Sequence, residues 1–265
     1  MQAGLAVSME RQTAKTQVSQ KMIEHHCQKV VAALDRFQEA HYWIHMLETH
    51  YHRADLFRWH FNAFLRALKE VNGILQMDLQ NDPHLSKWYR EHRKQISEDS
   101  LLSQLSKKRD FVVHRSRLIP KSSGTVGLTD GRKLRLGIGF PIHPLEDSDQ
   151  AMKRYVEHVR QYGDLFGILM EDEDSIPCVQ REWRLPEFDH ELVSLCIDAW
   201  IRVGKVMSAV LQILGEDSQG FTLECRHEKH GYTVKLYDRT QLIANVNRTG
   251  AEFLHEGPLS LAANG

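Results

Sequence analysis

Three long segments of the chain carry apolar residues at alternating intervals of three and four positions. They lie near residues 20–48, 55–79 and 190–214. This spacing places the apolar residues along one face of an α-helix, so each segment is predicted to be a long amphipathic helix. Because the polar turn between the first two segments is short, these two helices are expected to pack antiparallel, with the third closing a bundle.

Two other segments alternate apolar and polar residues with a period of two, which is typical of strands with one buried face. The first spans residues 132–140, and the second spans residues 221–237 with a turn near its middle, which predicts a hairpin. Residues 149–170 are predicted to be helical, and the Ser-Ser-Gly sequence at 122–124 predicts a turn. The predicted fold class is mainly α: a bundle of long antiparallel helices with an inserted strand segment and a C-terminal β-hairpin.

These patterns divide the chain into four parts. Residues 1–17 are polar and aperiodic, which predicts a flexible arm. Residues 18–120 and 188–215 form the expected bundle. Residues 121–187 are expected to be an insertion between its helices, and residues 216–265 a small β-rich extension.

The bulk composition fits a globular protein without a dominant charge. Lys and Arg number 34 against 35 Asp and Glu, giving a formal net charge of -1, so any attraction to nucleic acid must be local. The four cysteines form no Cys-x-x-Cys pair, which argues against a zinc site or a disulfide framework and favours a reducing compartment. No apolar run is long enough for a signal peptide or a membrane span, so the expected location is the cytoplasm, without membrane attachment.

Residues suited to catalysis interrupt the helical pattern in one segment, Lys107–Arg117, whose sequence is Lys-Lys-Arg-Asp-Phe-Val-Val-His-Arg-Ser-Arg. Arginine binds phosphate groups and histidine transfers protons near neutral pH, so Arg109 and His114 are candidate catalytic residues for phosphate-ester chemistry. Asp110 is a third candidate, because its carboxylate can orient the arginine or the histidine through a hydrogen bond. The apolar triplet at 111–113 is expected to be buried and to fix the segment.

Basic residues are concentrated around this motif. Lys107, Lys108, Arg115 and Arg117 share the segment with one acidic residue, Asp110. Such a cluster attracts an RNA backbone, so these four basic residues are the candidate RNA-binding set. A solvated charged loop with no ligand is the alternative interpretation of the same cluster.

The order Arg109-Asp110-x3-His114 resembles the Arg-polar-x3-His signature of the HEPN superfamily, helical proteins that include many metal-independent ribonucleases of toxin-antitoxin and antiviral systems. The predicted order of helices is similar as well, and Asn62–Lys69 resembles part of the second HEPN helix. The resemblance covers residues 18–120 and 188–215. It implies a HEPN-like helical bundle, a homodimer with two motifs facing each other across a two-fold axis, and an antitoxin or other regulatory protein as a further partner.

This resemblance implies a metal-independent endoribonuclease, a toxin or antiviral defence effector that needs no metal or other cofactor. His114 is expected to deprotonate the ribose 2'-hydroxyl or to protonate the leaving 5'-oxygen, while Arg109 stabilises the charge that develops on the phosphate. Two alternatives stay open. One is a non-catalytic HEPN-like module that binds RNA, a nucleotide or a protein, and the other is a structural helical adaptor in which the arginine and histidine pair is incidental.

Helix geometry sets a condition on the motif. Residues five apart on a regular α-helix point about 140° away from each other, so Arg109 and His114 do not reach one phosphate from a single continuous helix. Either the helix is broken between them or a second copy of the chain contributes to a shared site. A metal site at His41 and His45, one helical turn apart, is a further alternative that lacks matching carboxylates.

Overall fold

The computed structural model describes residues 30–129, 134–162, 176–214, 221, 223–224 and 231–242. This part of the chain is mainly helical and contains a four-stranded antiparallel sheet. The helices are α1 (Val31–Thr49), α2 (Ala54–Leu79), α3 (Pro83–Glu98), α4 (Ser100–His114), α5 (Ser148–Tyr162) and α6 (Leu192–Ile213). The strands are β1 (Lys121–Thr129), β2 (Leu134–Gly139), β3 (Ile176–Arg184) and β4 (Val234–Leu236), the last preceded by a 3-10 turn at Gly231–Thr233.

The described residues divide into two compact units, with boundaries inside α1, α2 and α6. The first unit holds α3, α4 and the larger parts of those three helices; it contains residues 30–44, 62–117 and the described residues from 196 to 224. The second unit holds the sheet and α5. It contains residues 45–61, the described residues from 118 to 195, and 231–242.

The apolar stripes predicted for the long helices form the core of the first unit. Its buried stripe on α2 consists of Phe64, Leu68, Val71 and Leu75. Phe37 of α1 stacks on Trp200 of α6 with ring centroids 4.8 Å apart, and the Trp200 indole N–H donates to the Phe37 carbonyl oxygen at 3.2 Å. The helices predicted near 20–48, 55–79 and 190–214 are thus confirmed over the described residues, with the spacing of three and four marking their buried faces.

Helix α4 carries the arginine and histidine motif. Asp99 caps its N-terminus and also forms an ion pair with Arg202. The Leu102 amide donates to Asp99 Oδ1 at 3.0 Å, and Arg202 of α6 donates to Asp99 Oδ2 at 2.6 Å. Burial acts to raise the pKa of Asp99, but these two hydrogen bonds outweigh it, so the pKa is lowered. Leu101, Leu102 and Leu105 are buried, which fixes the first turns of α4 in the unit.

The second unit is built on the sheet, whose strand order is β2-β1-β3-β4. Neighbouring strands are antiparallel, with Val126 opposite both Ile138 and Val179 and with Cys178 opposite Leu236. The strands share a buried core with α5 and with the residues that follow β4. This core consists of Val126, Leu128, Ile142, Ala151, Met152, Tyr155, Val156, Val179, Tyr237 and Leu242.

The strand predictions are confirmed in part. The strand predicted at 132–140 is present as β2. The turn predicted at 122–124 is wrong, because these residues lie inside β1 and pair with β3, Ser122 standing opposite Trp183. The C-terminal hairpin is also wrong for the residues described: 221 and 223–224 lie in no strand, and β4 pairs with β3 instead.

Several predicted features lie outside the described residues. They are the flexible arm at 1–17, the predicted helix beyond Tyr162, and most of the extension at 216–265. Over Ser148–Tyr162 the predicted helix is confirmed as α5. Within the part of the chain that the structure describes, no helix is both long enough and apolar enough to cross a bilayer.

Candidate functional site

Arg109 and His114 lie on one continuous helix. α4 runs without interruption to His114, its last residue, and ends where the Arg115 amide donates to the Phe111 carbonyl oxygen at 2.9 Å. Of the two alternatives left by the spacing, the helix broken between the two residues is therefore wrong. Since they are five positions apart, their side chains leave the helix axis in directions that differ by about 140°.

The carboxylate of Asp110 is shared between two cations. Lys69 Nζ on α2 donates to Asp110 Oδ1 at 2.5 Å, and Arg109 Nη1 donates to the same oxygen at 3.2 Å. The hydrogen bond from Lys69 and, after it, the one from Arg109 lower the pKa of Asp110 below its ordinary value. Asp110 is thus an ionised partner of the arginine, and no hydrogen bond joins it to His114 among the residues described.

Arg109 retains hydrogen-bonding capacity beyond this contact. Its side chain is 24% exposed, and its Nε is buried with no hydrogen-bond partner in the described part of the chain. Because this Nε is buried, a phosphate would have to bind the terminal nitrogens of the guanidinium through charge-assisted hydrogen bonds. The geometry leaves this guanidinium able to hold a phosphate.

His114 is exposed at the end of α4. Its imidazole makes no hydrogen bond to any of the described residues, so neither ring nitrogen is committed there to a structural partner. An exposed imidazole with both nitrogens available can accept a proton from a ligand or donate one to it. Within the described part of the chain, the imidazole also lacks the orienting partner that a general base usually has.

The apolar triplet between them does not behave as the sequence predicts. Phe111 is 39% exposed and Val113 53% exposed, while Val112 is half-buried. The expected burial of all three is therefore wrong. The last turn of α4 presents apolar side chains on its surface beside the motif, and the fixed part of the helix is its first half.

The candidate RNA-binding residues are mostly accessible. Lys107, Arg115 and Arg117 are exposed, and Lys108 is half-buried. The one carboxylate in this segment, Asp110, is already paired with Lys69 and Arg109, so it offsets little of the charge on Lys107, Arg115 and Arg117. The end of α4 therefore carries an excess of positive charge.

Lys69 is the site residue that the motif alone does not reveal. It lies 41 positions from Asp110 in the sequence, and a contact at that distance depends on how α2 packs beside α4. A signal does exist in hindsight: Lys69 follows the buried Leu68 and precedes the buried Val71 by two positions, which places it at the edge of the apolar stripe that packs on other helices.

The histidines weighed as metal ligands have other contacts. His41 stacks on Trp200 with ring centroids 4.4 Å apart, and His45 contacts a Glu48 carboxylate oxygen at 3.2 Å. Over the residues that the structure describes, no three His, Cys, Asp or Glu side chains are grouped in a way that could hold a metal ion. His41, which is half-buried, thus packs against a core residue of the first unit.

A protein family matches part of the chain. The sequence model of the family described as bacteriophage lambda protein ea47 matches residues 19–123, less than half of the chain, in a stretch that contains α1 to α4 and the arginine and histidine motif. That description names a bacteriophage protein and no activity. Neither a curated protein nor a solved structure matches the chain.

Proposed function

We propose that this protein is a metal-independent endoribonuclease of the HEPN type, a toxin or antiviral defence effector that works in the cytoplasm. The observation that carries the proposal is the state of the two motif side chains at the end of α4. Arg109 keeps an unsatisfied Nε–H and His114 is exposed without a structural partner among the described residues. These are a phosphate-binding group whose side chain is 24% exposed, although its Nε is buried, and an exposed proton-transfer group.

In the proposed reaction RNA supplies its own nucleophile. His114 removes the proton of a ribose 2'-hydroxyl, the 2'-oxygen attacks the adjacent phosphorus, and the bond from phosphorus to the 5'-oxygen breaks. The leaving 5'-oxygen takes a proton from an imidazolium or from water, so the products are a 2',3'-cyclic phosphate and a 5'-hydroxyl. Arg109 stabilises the charge on the phosphate oxygens, and Asp110 holds that arginine in place through their 3.2 Å contact.

A homodimer is part of this proposal. With Arg109 and His114 about 140° apart on one helix, a single α4 does not bring both to one phosphate. A second copy related by a two-fold axis would supply the missing group across the interface. The exposed Phe111 and Val113 support this arrangement, because apolar side chains beside a site are stabilised when a partner covers them.

RNA would approach over the basic end of α4. Lys107, Lys108, Arg115 and Arg117 would bind backbone phosphates on either side of the cleaved bond, without reading the sequence. The weakly compensated charge of this segment supports that role. Cleavage by such a site should fall steeply as salt is added, because each phosphate contact releases a condensed counterion.

The decisive experiment measures cleavage of a mixed RNA pool by the full chain in excess EDTA. We expect cleavage products with 2',3'-cyclic phosphate ends, and a loss of about a thousandfold or more in His114→Ala, which lacks the proton-transfer group. His190→Ala removes an exposed histidine from another region and is the matched control. Equal cleavage by the two variants, or loss of all activity in EDTA, would end the proposal.

A non-catalytic HEPN-like module that binds RNA, a nucleotide or a protein is the second candidate. One observation favours it: Asp110 contacts Lys69 and Arg109 and makes no hydrogen bond to His114 in the described chain. The imidazole therefore lacks an orienting carboxylate. Binding of RNA that survives in His114→Ala, with no cleavage by either protein, would select this candidate.

A further inference from the structure

The first unit contains a pocket beside the end of α4, and this pocket shares Lys107 with the candidate RNA-binding set. It has a volume of about 380 Å³ and lies among α2, α3 and α4, with Val203 of α6 also in its wall. Pockets that bind small molecules have volumes of roughly 300–1,000 Å³. The pocket is therefore large enough for a compact metabolite and too small for a folded partner.

The charged residues that the structure describes in this lining are all cations. Lys69, Arg93 and Lys107 come from three different helices, and no aspartate or glutamate is among the described lining residues. Lys69 is paired with Asp110, which lies outside the lining. Arg93 donates to the neutral amide oxygen of Gln76 at 2.5 Å. Within the described residues, neither Arg93 nor Lys107 has a carboxylate partner, which leaves two positive charges uncompensated.

The rest of the wall is divided between apolar and neutral polar groups. Its apolar residues are Leu65, Leu68, Ile96, Leu102, Leu105 and Val203. Its neutral polar side chains belong to Asn72, Gln76, Ser97, Ser103 and Ser106. A ligand that fits this wall has an apolar body, an anionic group and hydrogen-bonding atoms at its edge.

One polar group in the wall lacks a partner. Asn72 Oδ1 is buried and accepts no hydrogen bond from any described residue, although the Asn72 backbone carbonyl accepts one from the Tyr89 hydroxyl at 2.7 Å. An unsatisfied buried acceptor destabilises the protein. Because this oxygen has almost no accessible surface, a ligand in the pocket does not reach it unless the Asn72 side chain turns.

We propose that this pocket binds a small molecule with a phosphate monoester on a flat apolar body. A phosphate monoester carries a charge of about -1.5 to -2 at neutral pH, which matches the two uncompensated cations, Arg93 and Lys107. The flat body packs against the leucines of α2 and α4. The proposal does not depend on ribonuclease activity, because it uses only the lining of the pocket.

Calorimetric titration of the full chain with 1-naphthyl phosphate tests this. We expect one site per chain, with affinity at least about tenfold above that of inorganic phosphate, which lacks the body, and of 1-naphthol, which lacks the charge. A parallel titration with AMP distinguishes a nucleotide ligand from another aryl phosphate. Tighter binding of AMP indicates a nucleotide, and tighter binding of 1-naphthyl phosphate indicates another aryl phosphate.

Variants on α3 locate the binding. Arg93→Gln removes a lining cation and is expected to raise the Kd for 1-naphthyl phosphate about tenfold, the usual cost of losing one charge-assisted hydrogen bond. Lys94→Gln removes the neighbouring cation, which does not line the pocket, and should leave the Kd unchanged. Arg93→Lys keeps the charge and should restore most of the affinity.

Three results would overturn the proposal. They are the absence of any binding of 1-naphthyl phosphate or AMP, equal Kd values in Arg93→Gln and Lys94→Gln, and 1-naphthol binding as tightly as its phosphate. Circular dichroism of each variant establishes that it is folded. Arg93 is an exposed residue, so its substitution does not remove a core contact.

Discussion

Lys69 of α2 and Asp110 of α4 form an ion pair, Nζ to Oδ1 at 2.5 Å, although 41 positions separate them in the sequence. The same oxygen receives the longer hydrogen bond from Arg109 at 3.2 Å. Lys69 therefore competes with Arg109 for the carboxylate, and the arginine keeps part of its hydrogen-bonding capacity. If Arg109 binds phosphate, Lys69 is the residue that leaves it available to do so.

The first prediction concerns the pKa of Asp110. Lys69→Met should raise this pKa toward its ordinary value, and by more than Arg109→Met does, because the hydrogen bond from Lys69 is the larger cause of the depression. Carbon-13 NMR titration of labelled aspartate carboxyl groups measures the pKa of Asp110 in both variants. Arg66→Met is the control, since Arg66 pairs with Glu70 elsewhere on α2. If the pKa of Asp110 changed only in Arg109→Met, the hydrogen bond from Lys69 would not be the larger cause of the depression.

The substitution Lys69→Met should leave the fold intact. The side chains of Lys69 and Asp110 are 35% and 46% exposed, and ion pairs in such positions contribute at most about 1 kcal/mol. Urea denaturation of Lys69→Met should therefore give a free energy of unfolding within about 1 kcal/mol of the parent value. A larger loss would mean that the pair holds α2 and α4 together, and the pKa experiment would need the milder Lys69→Gln.

A second relationship, in the other unit, involves His52 and Ser148. His52 Nε2 lies 3.0 Å from the Tyr232 carbonyl oxygen, and Nδ1 lies 2.8 Å from Ser148 Oγ. A carbonyl only accepts, so Nε2 carries the proton and Nδ1 accepts from the serine hydroxyl. Burial, followed by the nearby charges of Lys235 and Arg181, lowers the pKa of His52 to about 3.

The second prediction is the effect of this histidine on stability. In the unfolded chain the His52 imidazole becomes protonated near pH 6.5, whereas in the folded chain it becomes protonated only near pH 3. The contribution of neutral His52 is therefore fully present above pH 6.5 and is lost progressively as the pH falls toward 3. Between pH 7 and pH 5 the loss should be about 2 kcal/mol in the free energy of unfolding.

Urea denaturation at these two pH values, in the parent protein and in His52→Gln, isolates the effect. The variant should lose less stability than the parent on going from pH 7 to pH 5, and the difference is the contribution of His52. Other histidines titrate in both proteins and cancel. The same loss in both proteins would show that the His52 imidazole does not stay neutral in the folded chain.

The long helices are predictable because their burial follows local spacing. Phe64, Leu68, Val71 and Leu75 are buried where a period of 3.6 residues would place them. The strand β1 is not predictable in this way. Its first half is polar and small, Lys-Ser-Ser-Gly-Thr, and what makes it a strand is pairing with β3, a segment some fifty positions away.

Strand β3 is also hard to predict from sequence, because one of its buried positions is occupied by a charged residue, Arg181. Arg181 is 1% exposed, donates to Ser122 and to the carbonyl oxygens of Glu146 and His143, and lies over the ring of Trp183. Prediction from sequence assigns an arginine to the solvent-facing side of a strand. The alternation of apolar and polar residues in β3 is therefore misread at Arg181, which is buried. The motif on α4 is predictable in residue type, whereas the exposure of Phe111 depends on what the rest of the chain leaves uncovered.

The last prediction is that the protein is a homodimer whose interface includes the end of α4. Light scattering should give twice the chain mass of 30.8 kDa. Phe111→Ser, which removes the exposed aromatic side chain beside the motif, should shift the protein toward the monomer, because apolar area covered at an interface stabilises it. Trp59→Ser removes another exposed aromatic residue and should leave the mass unchanged.

Mixing two inactive variants tests whether the dimer shares its sites. If each site takes Arg109 from one copy and His114 from the other, a heterodimer of Arg109→Ala and His114→Ala has one site with both groups intact and one with neither. Random exchange of subunits should then restore about a quarter of the parent cleavage rate. Sites completed within one chain would regain nothing on mixing. A parent protein that stays monomeric and fully active at nanomolar concentration would likewise show that one copy is enough, and the 140° separation on α4 would then need a bend in the helix when RNA binds.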